Sequence, residues 1–326
     1  MTVVSGGTPG RPRAALTAIR TTAVRLYGLS RGTQAALSVA QPCLGLLLAA
    51  GMPPPAGTAL LCLAAATTGS FAGFALHDLM DLRLDRSRFA HQRPCDAFDI
   101  DIVGPRHPLA QGKLSTVTAV VWTVLLASVS LTLSALLDPV CVALFVTAVS
   151  LQLAYCALAT VTAYKFLLTG LTVAAWASAG WFAADPRPEA GGWLLPALFA
   201  GWMAAWEIGG RNIVNDWADV EEDRHLGVRT VPAVYGVRTA GLLTLVFLAA
   251  AWAGGIAVPA LGGHGPAALL GTAIAGTWLL LAPGWRLLRD GSPQTALGLF
   301  NRASFYPPVV LLLLVCAPAA DRALGL

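Results

Sequence analysis

Long apolar stretches separated by short polar or charged connections run along most of the chain. About twenty mainly apolar residues are what an α-helix needs to cross the hydrocarbon core of a bilayer. The pattern predicts nine such helices, at approximately 33–51, 56–79, 116–137, 139–156, 166–184, 192–214, 238–258, 265–284 and 304–318. We therefore expect an all-α membrane protein in which nine transmembrane helices form a bundle around a central cavity.

The flanking segments divide the chain into three parts. Residues 1–32 hold spaced arginines and no cleavable signal sequence, which is typical of a cytoplasmic segment with an interfacial helix. Residues 33–318 form the transmembrane domain, and residues 319–326 form a short tail.

Composition agrees with a membrane location, because only 12% of the 326 residues are charged and 56% are hydrophobic. Soluble domains are usually about one quarter charged. The net charge of +4 reflects basic inner loops that favour anionic membrane lipids, and it gives no reason to expect a nucleic-acid partner. The abundance of Ala and Arg, with only two lysines, indicates a GC-rich bacterial genome and hence the bacterial inner membrane.

Orientation follows from the basic residues, since Lys and Arg in short loops stay on the cytoplasmic side. The N-terminal segment and every second loop carry nearly all of them, and the other side has only Arg187 and Arg322. This bias places the N-terminus in the cytoplasm and, after nine crossings, the C-terminus outside. Because the outer connections are short and two inner ones are long and charged, we expect the active site to face the cytoplasm.

The six cysteines lie mostly inside the predicted helices and include no Cys-x-x-Cys pair. Such cysteines usually serve as small apolar packing residues. The sequence predicts neither a disulfide nor a zinc site.

Two acidic motifs with the same spacing end the second and sixth predicted helices. HDLMDLRLD spans 77–85 and NDWADVEED spans 215–223, so an Asp-x-x-Asp-x-x-x-Asp pattern occurs twice. Their positions, four helices apart, indicate a tandem repeat of parallel orientation. At 3.6 residues per turn this spacing stacks the carboxylates of each motif on one helical face.

Stacked carboxylates at a membrane boundary are unfavourable unless a cation neutralises them. Mg²⁺ prefers hard oxygen ligands and commonly combines one or two carboxylates with substrate phosphates. Two such faces meeting across a bundle would clamp a diphosphate through bridging metals. Solvated acidic helix ends are the simplest alternative, and the cation pathway of a secondary transporter is another.

The motif pair resembles that of the UbiA superfamily of intramembrane prenyltransferases, and the resemblance covers roughly residues 25–318. The second motif matches at Asn215, Asp216, Asp219 and Asp223, and DRHLGVRTVP after it resembles the family's closing segment. The resemblance implies Mg²⁺ as cofactor and an isoprenyl diphosphate as substrate. It implies these metal ligands: Asp78, Asp81, Asp85, Asn215, Asp216, Asp219 and Asp223.

The first motif departs from the family at His77, where an Asn is usual. Imidazole nitrogen is a softer ligand than an amide oxygen and suits zinc or iron better than magnesium. His77 is therefore interpreted either as a group outside the metal shell that binds a phosphate or an aspartate, or as a tolerated replacement.

Two further segments resemble parts of the family. RHPLAQGKLS, 106–115, resembles its Arg-Pro-Leu-x-x-Gly segment with His107 inserted, and an alternative alignment uses Arg93. The intervening stretch 95–104 is interpreted as a lid or, in preference, as a solvated excursion. AYCALATVTAYKF, 154–166, resembles the Tyr and Lys that grip the diphosphate, although a snorkelling interfacial lysine has the same pattern.

These matches and the basic or polar candidates around them complete the predicted site. Glu207, within the sixth predicted helix, is expected to contact the acceptor or to pair with Arg211. We expect catalytic roles for Asp81, Asp85, Asp219, Asp223, Lys165 and Tyr155. We expect substrate-binding roles for His77, Arg93, Arg106, Lys113, Tyr164, Glu207, Arg211, Arg224 and Arg229.

The predicted reaction is ionisation of the isoprenyl diphosphate followed by transfer of the prenyl group to an aromatic or related small acceptor. A terpene cyclase of the same superfamily, in which an internal double bond captures the carbocation, is the alternative. A secondary transporter explains the helices and the repeat, but not the paired carboxylate faces beside basic residues.

Overall fold

The computed structural model describes residues 11–51, 53–91, 100, 107–185 and 192–325, and this part of the chain contains helices and turns but no strand. A 3₁₀ turn, Ala163–Lys165, and two π-helical turns, Ile208–Asn212 and Thr277–Leu281, join some of the helices. The α-helices are α1 Arg11–Leu29, α2 Gly32–Ser38, α3 Ala40–Ala50, α4 Ala56–Met80, α5 Leu82–His91, α6 Thr116–Leu137, α7 Pro139–Ala157, α8 Phe166–Ala184, α9 Leu194–Glu207, α10 Ile213–Ala218, α11 Val220–Leu226, α12 Val231–Leu261, α13 Pro266–Gly276, α14 Ala282–Asp290, α15 Pro293–Ser304 and α16 Tyr306–Leu324.

Eight helical stretches of the described chain are long and apolar enough to cross a membrane. They are Gly32–Ala50, Ala56–Met80, Thr116–Leu137, Pro139–Ala157, Ala163–Ala184, Val231–Leu261, Pro266–Asp290 and Pro293–Ala323. The all-helical, multi-pass class is confirmed, whereas nine crossings and the orientation of the termini remain predictions.

The sixth predicted crossing is the one outside this set of eight. It is a continuous helical run formed by α9, the π-turn and α10, and it carries Glu207 and Arg211. The run also includes Asp216 of the second motif, and all three charged residues line the cavity described below.

Close approach between helices depends on glycine where α3 crosses α8. A Cβ atom at Gly180 would lie 1.8 Å from the carbonyl oxygen of Pro42, and one at Gly45 would lie 2.7 Å from the backbone nitrogen of Trp181. Small residues of this kind let helix backbones touch inside a membrane. The contact draws α3 and α8 together beside the core formed by Phe199, Trp202 and Trp206 of α9.

Both acidic motifs break their helices at the middle aspartate. Asp81, with φ −88° and ψ 5°, separates α4 from α5, and Asp219, with φ −102° and ψ 13°, separates α10 from α11. Both residues lie in the bridge region of backbone space, where active-site residues are common. The two motifs therefore share a local backbone geometry, a single-residue bend rather than the continuous helix that the spacing predicts.

Candidate functional site

A cavity of about 500 Å³ lies among α4, α6, α7, α8 and the α9–α10 run. Polar groups from both acidic motifs line one part of it, and Phe74, Phe145 and Trp176 line another. It also reaches Gly69 on α4, where an added Cβ would lie 2.3 Å from the Trp176 ring. Asp81, which directly follows α4, is twelve residues from Gly69, which is roughly 18 Å along a helix. The cavity thus joins a charged end to a long apolar end.

The second motif faces this cavity with all four of its predicted ligands, which are Asn215, Asp216, Asp219 and Asp223. The π-turn before it, Ile208–Asn212, adds Arg211 and Asn212 to the lining. An extra residue in a helical turn changes the direction of the side chains that follow, and such turns are frequent at functional sites.

Lys165 and Tyr155 form a buried polar cluster beside the second motif. The ammonium of Lys165 donates to the Tyr155 hydroxyl at 3.2 Å and lies 4.4 Å from the centre of its ring. The Asn212 amide also donates to this hydroxyl, at 3.3 Å. Only 4% of Lys165 is exposed, so the snorkelling interpretation is not supported. The cluster fixes a cation at the wall of the cavity.

The first motif is arranged differently, because Asp78 lies behind the lining with 2% of its surface exposed. Arg31 donates from Nε and Nη2 to Asp78 Oδ1 at 3.2 and 3.0 Å. His107 Nδ1 lies 3.2 Å from Asp78 Oδ2 and 3.0 Å from Asp85 Oδ2. Burial alone lowers the pKa of His107, but the two carboxylates outweigh it and raise the pKa above its ordinary value. The His107 imidazole therefore lies between the Asp78 and Asp85 carboxylates and is near both.

Arg31 and His107 share an unusual backbone. They are the two non-glycine residues of the described chain with positive φ, at 43° and 45°. A left-handed conformation is costly for residues other than glycine and persists where surrounding contacts hold it. Both residues contact Asp78, so the two turns with left-handed backbone lie on either side of the same carboxylate.

His77 is hydrogen-bonded on both ring nitrogens. Gln152 donates its amide to Nδ1 at 2.8 Å, and Nε2 lies 3.0 Å from Asp81 Oδ2. With Nδ1 as acceptor, Nε2 carries the proton and donates to the carboxylate. His77 and Asp81 both line the cavity, at the junction between α4 and α7.

Glu207 and Arg211 also line the cavity and pair with each other, with Arg211 Nε 3.6 Å from Glu207 Oε2. The guanidinium lies 5.1 Å from the ring centre of Phe300 and 5.7 Å from that of Trp206. Glu207 was expected either to contact the acceptor or to pair with Arg211. The structure shows the pair with Arg211. Contact with an acceptor stays a prediction, because Glu207 also lines the cavity.

Other predicted substrate-binding residues lie away from the lining. Lys113 is exposed, Tyr164 packs against Tyr235 with ring centres 6.0 Å apart, and Arg224 pairs with Glu221 at 2.9 Å. Arg229 has an exposed side chain, although its backbone N–H donates to the Ala159 carbonyl at 2.8 Å. Arg93 and Arg106 lie outside the described residues.

One residue of the 95–104 stretch is described, and it is not solvated. Ile100 is 2% exposed, belongs to the main apolar core, and donates its backbone N–H to Asn301 Oδ1 at 3.0 Å. At Ile100, therefore, the segment is packed against α15 and is not the solvated loop that the sequence interpretation preferred.

Several cavity residues have no distinct signal in the sequence. Arg31 is only one of the arginines of the charge bias, Cys156 is only one of the six cysteines predicted to pack, and Gln152 and Asn212 belong to no motif. An amide inside a predicted transmembrane helix is the signal that marks Gln152 in retrospect. The role of Arg31 depends on a contact with Asp78 that no local pattern reveals.

The sequence matches the model of the UbiA prenyltransferase family over residues 38–306. The chain belongs to this family. No curated protein has a matching sequence.

Solved structures of UbiA homologues share the fold. An apo UbiA homologue from Aeropyrum pernix K1 has a TM-score of 0.68 and 22% identity, covering 90% of this chain and 98% of its own. A digeranylgeranylglyceryl phosphate synthase has a TM-score of 0.65 and 18% identity, with coverage of 90% and 97%. A homologue from Archaeoglobus fulgidus bound to DMAPP and Mg²⁺ has a TM-score of 0.58 and 15% identity, with coverage of 89% and 99%.

The residues present here fit Mg²⁺ at the second motif, where one amide and three carboxylates face the cavity and supply oxygen ligands only. Among the described residues, three-ligand sets of His, Cys, Asp or Glu that converge within 4.8 Å occur only around the first motif. The second motif is more open, which suits an ion that completes its shell with water and phosphate oxygens.

Proposed function

We propose that this UbiA-family protein is a Mg²⁺-dependent intramembrane prenyltransferase that transfers the prenyl group of an isoprenyl diphosphate to an aromatic or related small acceptor. The observation that supports this most strongly is the cavity itself. One continuous space holds acidic groups of both motifs, a buried lysine, and an apolar end closed by Trp176 against Gly69. A diphosphate fits the first end by charge, and a prenyl chain fits the second by hydrophobic contact.

Metal binding is assigned to Asn215, Asp216, Asp219 and Asp223 of the second motif, together with Asp81 and Asp85 of the first. When bound, Mg²⁺ supplies positive charge that stabilises a departing diphosphate. Asp78 is assigned to the support of the first motif, because its carboxylate already contacts Arg31 and His107.

In the proposed reaction, the bond between C1 of the prenyl group and the diphosphate oxygen breaks, and its electron pair leaves with pyrophosphate. Lys165 donates charge-assisted hydrogen bonds to the leaving group, and Tyr155 and Asn212 hold the ammonium in place. The allylic cation then lies in a water-poor space next to aromatic rings, which stabilise positive charge. A carbon or oxygen of the acceptor supplies the electrons of the new bond and loses a proton.

The test is pyrophosphate release by the purified full chain with geranyl, farnesyl or geranylgeranyl diphosphate. Each donor is offered with and without Mg²⁺ and with and without an aromatic acceptor, and organic products are identified by mass spectrometry. We expect release that requires Mg²⁺ and acceptor together, with one prenylated product.

The other outcomes assign the function differently. Release without acceptor, accompanied by a cyclic hydrocarbon or terpene alcohol, would replace the transferase with the cyclase. No release with any donor, with or without acceptor, would overturn diphosphate ionisation as the activity.

A further inference from the structure

The first motif has a feature that diphosphate chemistry alone does not require, a cysteine that converges with its histidine and middle aspartate. Ligand atoms of His77, Asp81 and Cys156 all lie within 4.8 Å of one another. His77 and Asp81 are one turn apart at the end of α4, and Cys156 comes from the end of α7. All three line the cavity. Two helices thus bring a nitrogen, an oxygen and a sulfur ligand to one point.

This set of donor atoms differs in kind from that of the second motif. Mg²⁺ takes oxygen ligands, whereas nitrogen and sulfur donors select borderline cations such as zinc or cobalt. Bonds of about 2.0 to 2.3 Å place the ligand atoms of tetrahedral zinc roughly 3 to 4 Å apart. His77 Nε2 and Asp81 Oδ2 are already 3.0 Å apart, and the full set converges within 4.8 Å. The set is therefore within about 1 Å of the span that one zinc ion requires.

Gln152 supplies the outer support that histidine ligands commonly have. Its amide nitrogen lies 2.8 Å from His77 Nδ1 and 3.7 Å from Cys156 Sγ. A metal-bound imidazole usually donates its other N–H to an acceptor that fixes the tautomer. A half-turn of the Gln152 amide presents Oε1 to Nδ1, which then carries the proton and leaves the Nε2 lone pair for a cation.

We propose that His77, Asp81 and Cys156 form a site for a borderline divalent cation of the zinc class, with its fourth position open to the cavity. Three protein ligands with one open position are the arrangement of metal sites that bind a water or a substrate atom. Here the open position faces the space assigned to the diphosphate. The inference rests on the proposed function for that substrate, but binding of the cation does not depend on it.

The site is tested by titrating the purified, reduced full chain in detergent with Co²⁺. A thiolate ligand gives a sulfur-to-cobalt charge-transfer band in the near ultraviolet, and a tetrahedral site gives intense visible absorption. We expect one equivalent of Co²⁺ to produce both signals and one equivalent of Zn²⁺ to remove them. Excess Mg²⁺ should not remove the charge-transfer band, because Mg²⁺ can share the Asp81 carboxylate, as in the proposed function, but does not replace the nitrogen of His77 or the sulfur of Cys156.

Matched variants assign the ligands. Cys156→Ser should abolish the charge-transfer band, whereas Cys43→Ser and Cys316→Ser, which change cysteines outside the cavity lining, should retain it. His77→Asn should weaken Co²⁺ binding at least tenfold. Gln152→Leu should keep the band but weaken binding by about 10- to 100-fold, the usual effect of losing an outer-shell partner.

Two results would overturn the proposal: no charge-transfer band in the wild-type chain, or a band that persists in Cys156→Ser. Thermal unfolding midpoints of the variants show whether loss of the band reflects loss of the fold. Pyrophosphate release measured on the same preparations separates the two proposals. Mg²⁺-dependent pyrophosphate release without a cobalt band would contradict the zinc-class site and support the prenyltransferase function. A cobalt band without pyrophosphate release would support the zinc-class site and contradict the prenyltransferase function.

Discussion

The two acidic motifs have the same spacing and the same bend at the middle aspartate, yet their surroundings differ. Around the first motif, Arg31 and His107 contact Asp78, and Gln152 contacts His77. The second motif turns an amide and three carboxylates toward the cavity. The spacing determines where carboxylates can lie, and the neighbouring elements determine what each carboxylate does.

The difference has a physical origin in the segments next to each motif. The first motif packs against two turns, at Arg31 and at His107, which place a guanidinium and an imidazole behind it. The second follows a π-turn, which places Arg211 and Asn212 beside it in the cavity lining. Contacts behind the first motif consequently hold it in place, whereas the second motif is exposed to the cavity.

The largest expected effect comes from removing a charge of the second motif. Asp219→Asn should lower Mg²⁺-dependent pyrophosphate release by roughly a thousandfold, because several kcal/mol of charge stabilisation depend on the metal. Initial rates at saturating donor and Mg²⁺ measure it.

The control is Glu221→Gln, two residues along the same motif. The Glu221 side chain is 83% exposed and pairs with Arg224, so the variant should keep nearly full activity. Equal losses in the two variants would mean that overall negative charge, rather than placement at the cavity, is what matters.

Removing the contact between Arg31 and Asp78 of the first motif should lower the free energy of unfolding. Arg31→Gln leaves the buried Asp78 carboxylate without its main counter-charge, and we expect a loss of about 2 to 3 kcal/mol in the free energy of unfolding. Circular dichroism of the detergent-solubilised chain during denaturation measures this loss.

The second step of that test is Asp78→Asn in the Arg31→Gln background, which removes the unpaired charge. Most of the lost stability should return. If the two substitutions instead destabilise additively, Arg31 and Asp78 do not act as a pair.

The sequence predicts a feature of the two motifs only where the interacting residues are close together along the chain. Apolar periodicity and the local spacing of Asp216, Asp219 and Asp223 are short-range signals, and from them the multi-pass helical class and the position of the second motif follow. The contact between Arg31 and Asp78 joins residues 47 positions apart, and that between His77 and Gln152 joins residues 75 apart. No local rule pairs these residues.

Irregular backbone limited the sequence interpretation in the same way. A helix of regular pitch puts Asp78, Asp81 and Asp85 on one face, but Asp78 lies behind the lining in contact with Arg31 and His107, while Asp81 and Asp85 face the cavity. The π-turn at 208–212 and the left-handed His107 are likewise products of tertiary packing. The sequence shows which groups are present, but not which of them share a wall of the cavity.

Substitution of Lys165, the buried lysine beside the second motif, should have a smaller effect on activity. Lys165→Met should lower kcat/KM for the prenyl diphosphate by about 30- to 100-fold, since a charge-assisted hydrogen bond contributes about 2 to 3 kcal/mol. The chain has one other lysine, the exposed Lys113, and Lys113→Met is the matched control. A similar loss in both would show that Lys165 acts only through net charge.

The smallest expected effect concerns Tyr155, whose hydroxyl accepts from both Lys165 and Asn212. Tyr155→Phe removes the hydroxyl but keeps the ring beside the Lys165 ammonium, so kcat/KM should fall by only about 5- to 10-fold, the equivalent of about 1 kcal/mol. Tyr164→Phe at the exposed tyrosine should change nothing. If Tyr155 acts by positioning the ammonium, the same substitution in the Lys165→Met background should have no further effect. A full additional loss in that background would assign Tyr155 a direct contact with substrate. Lys165 and Tyr155 would then contact the leaving diphosphate independently, rather than one holding the other in place.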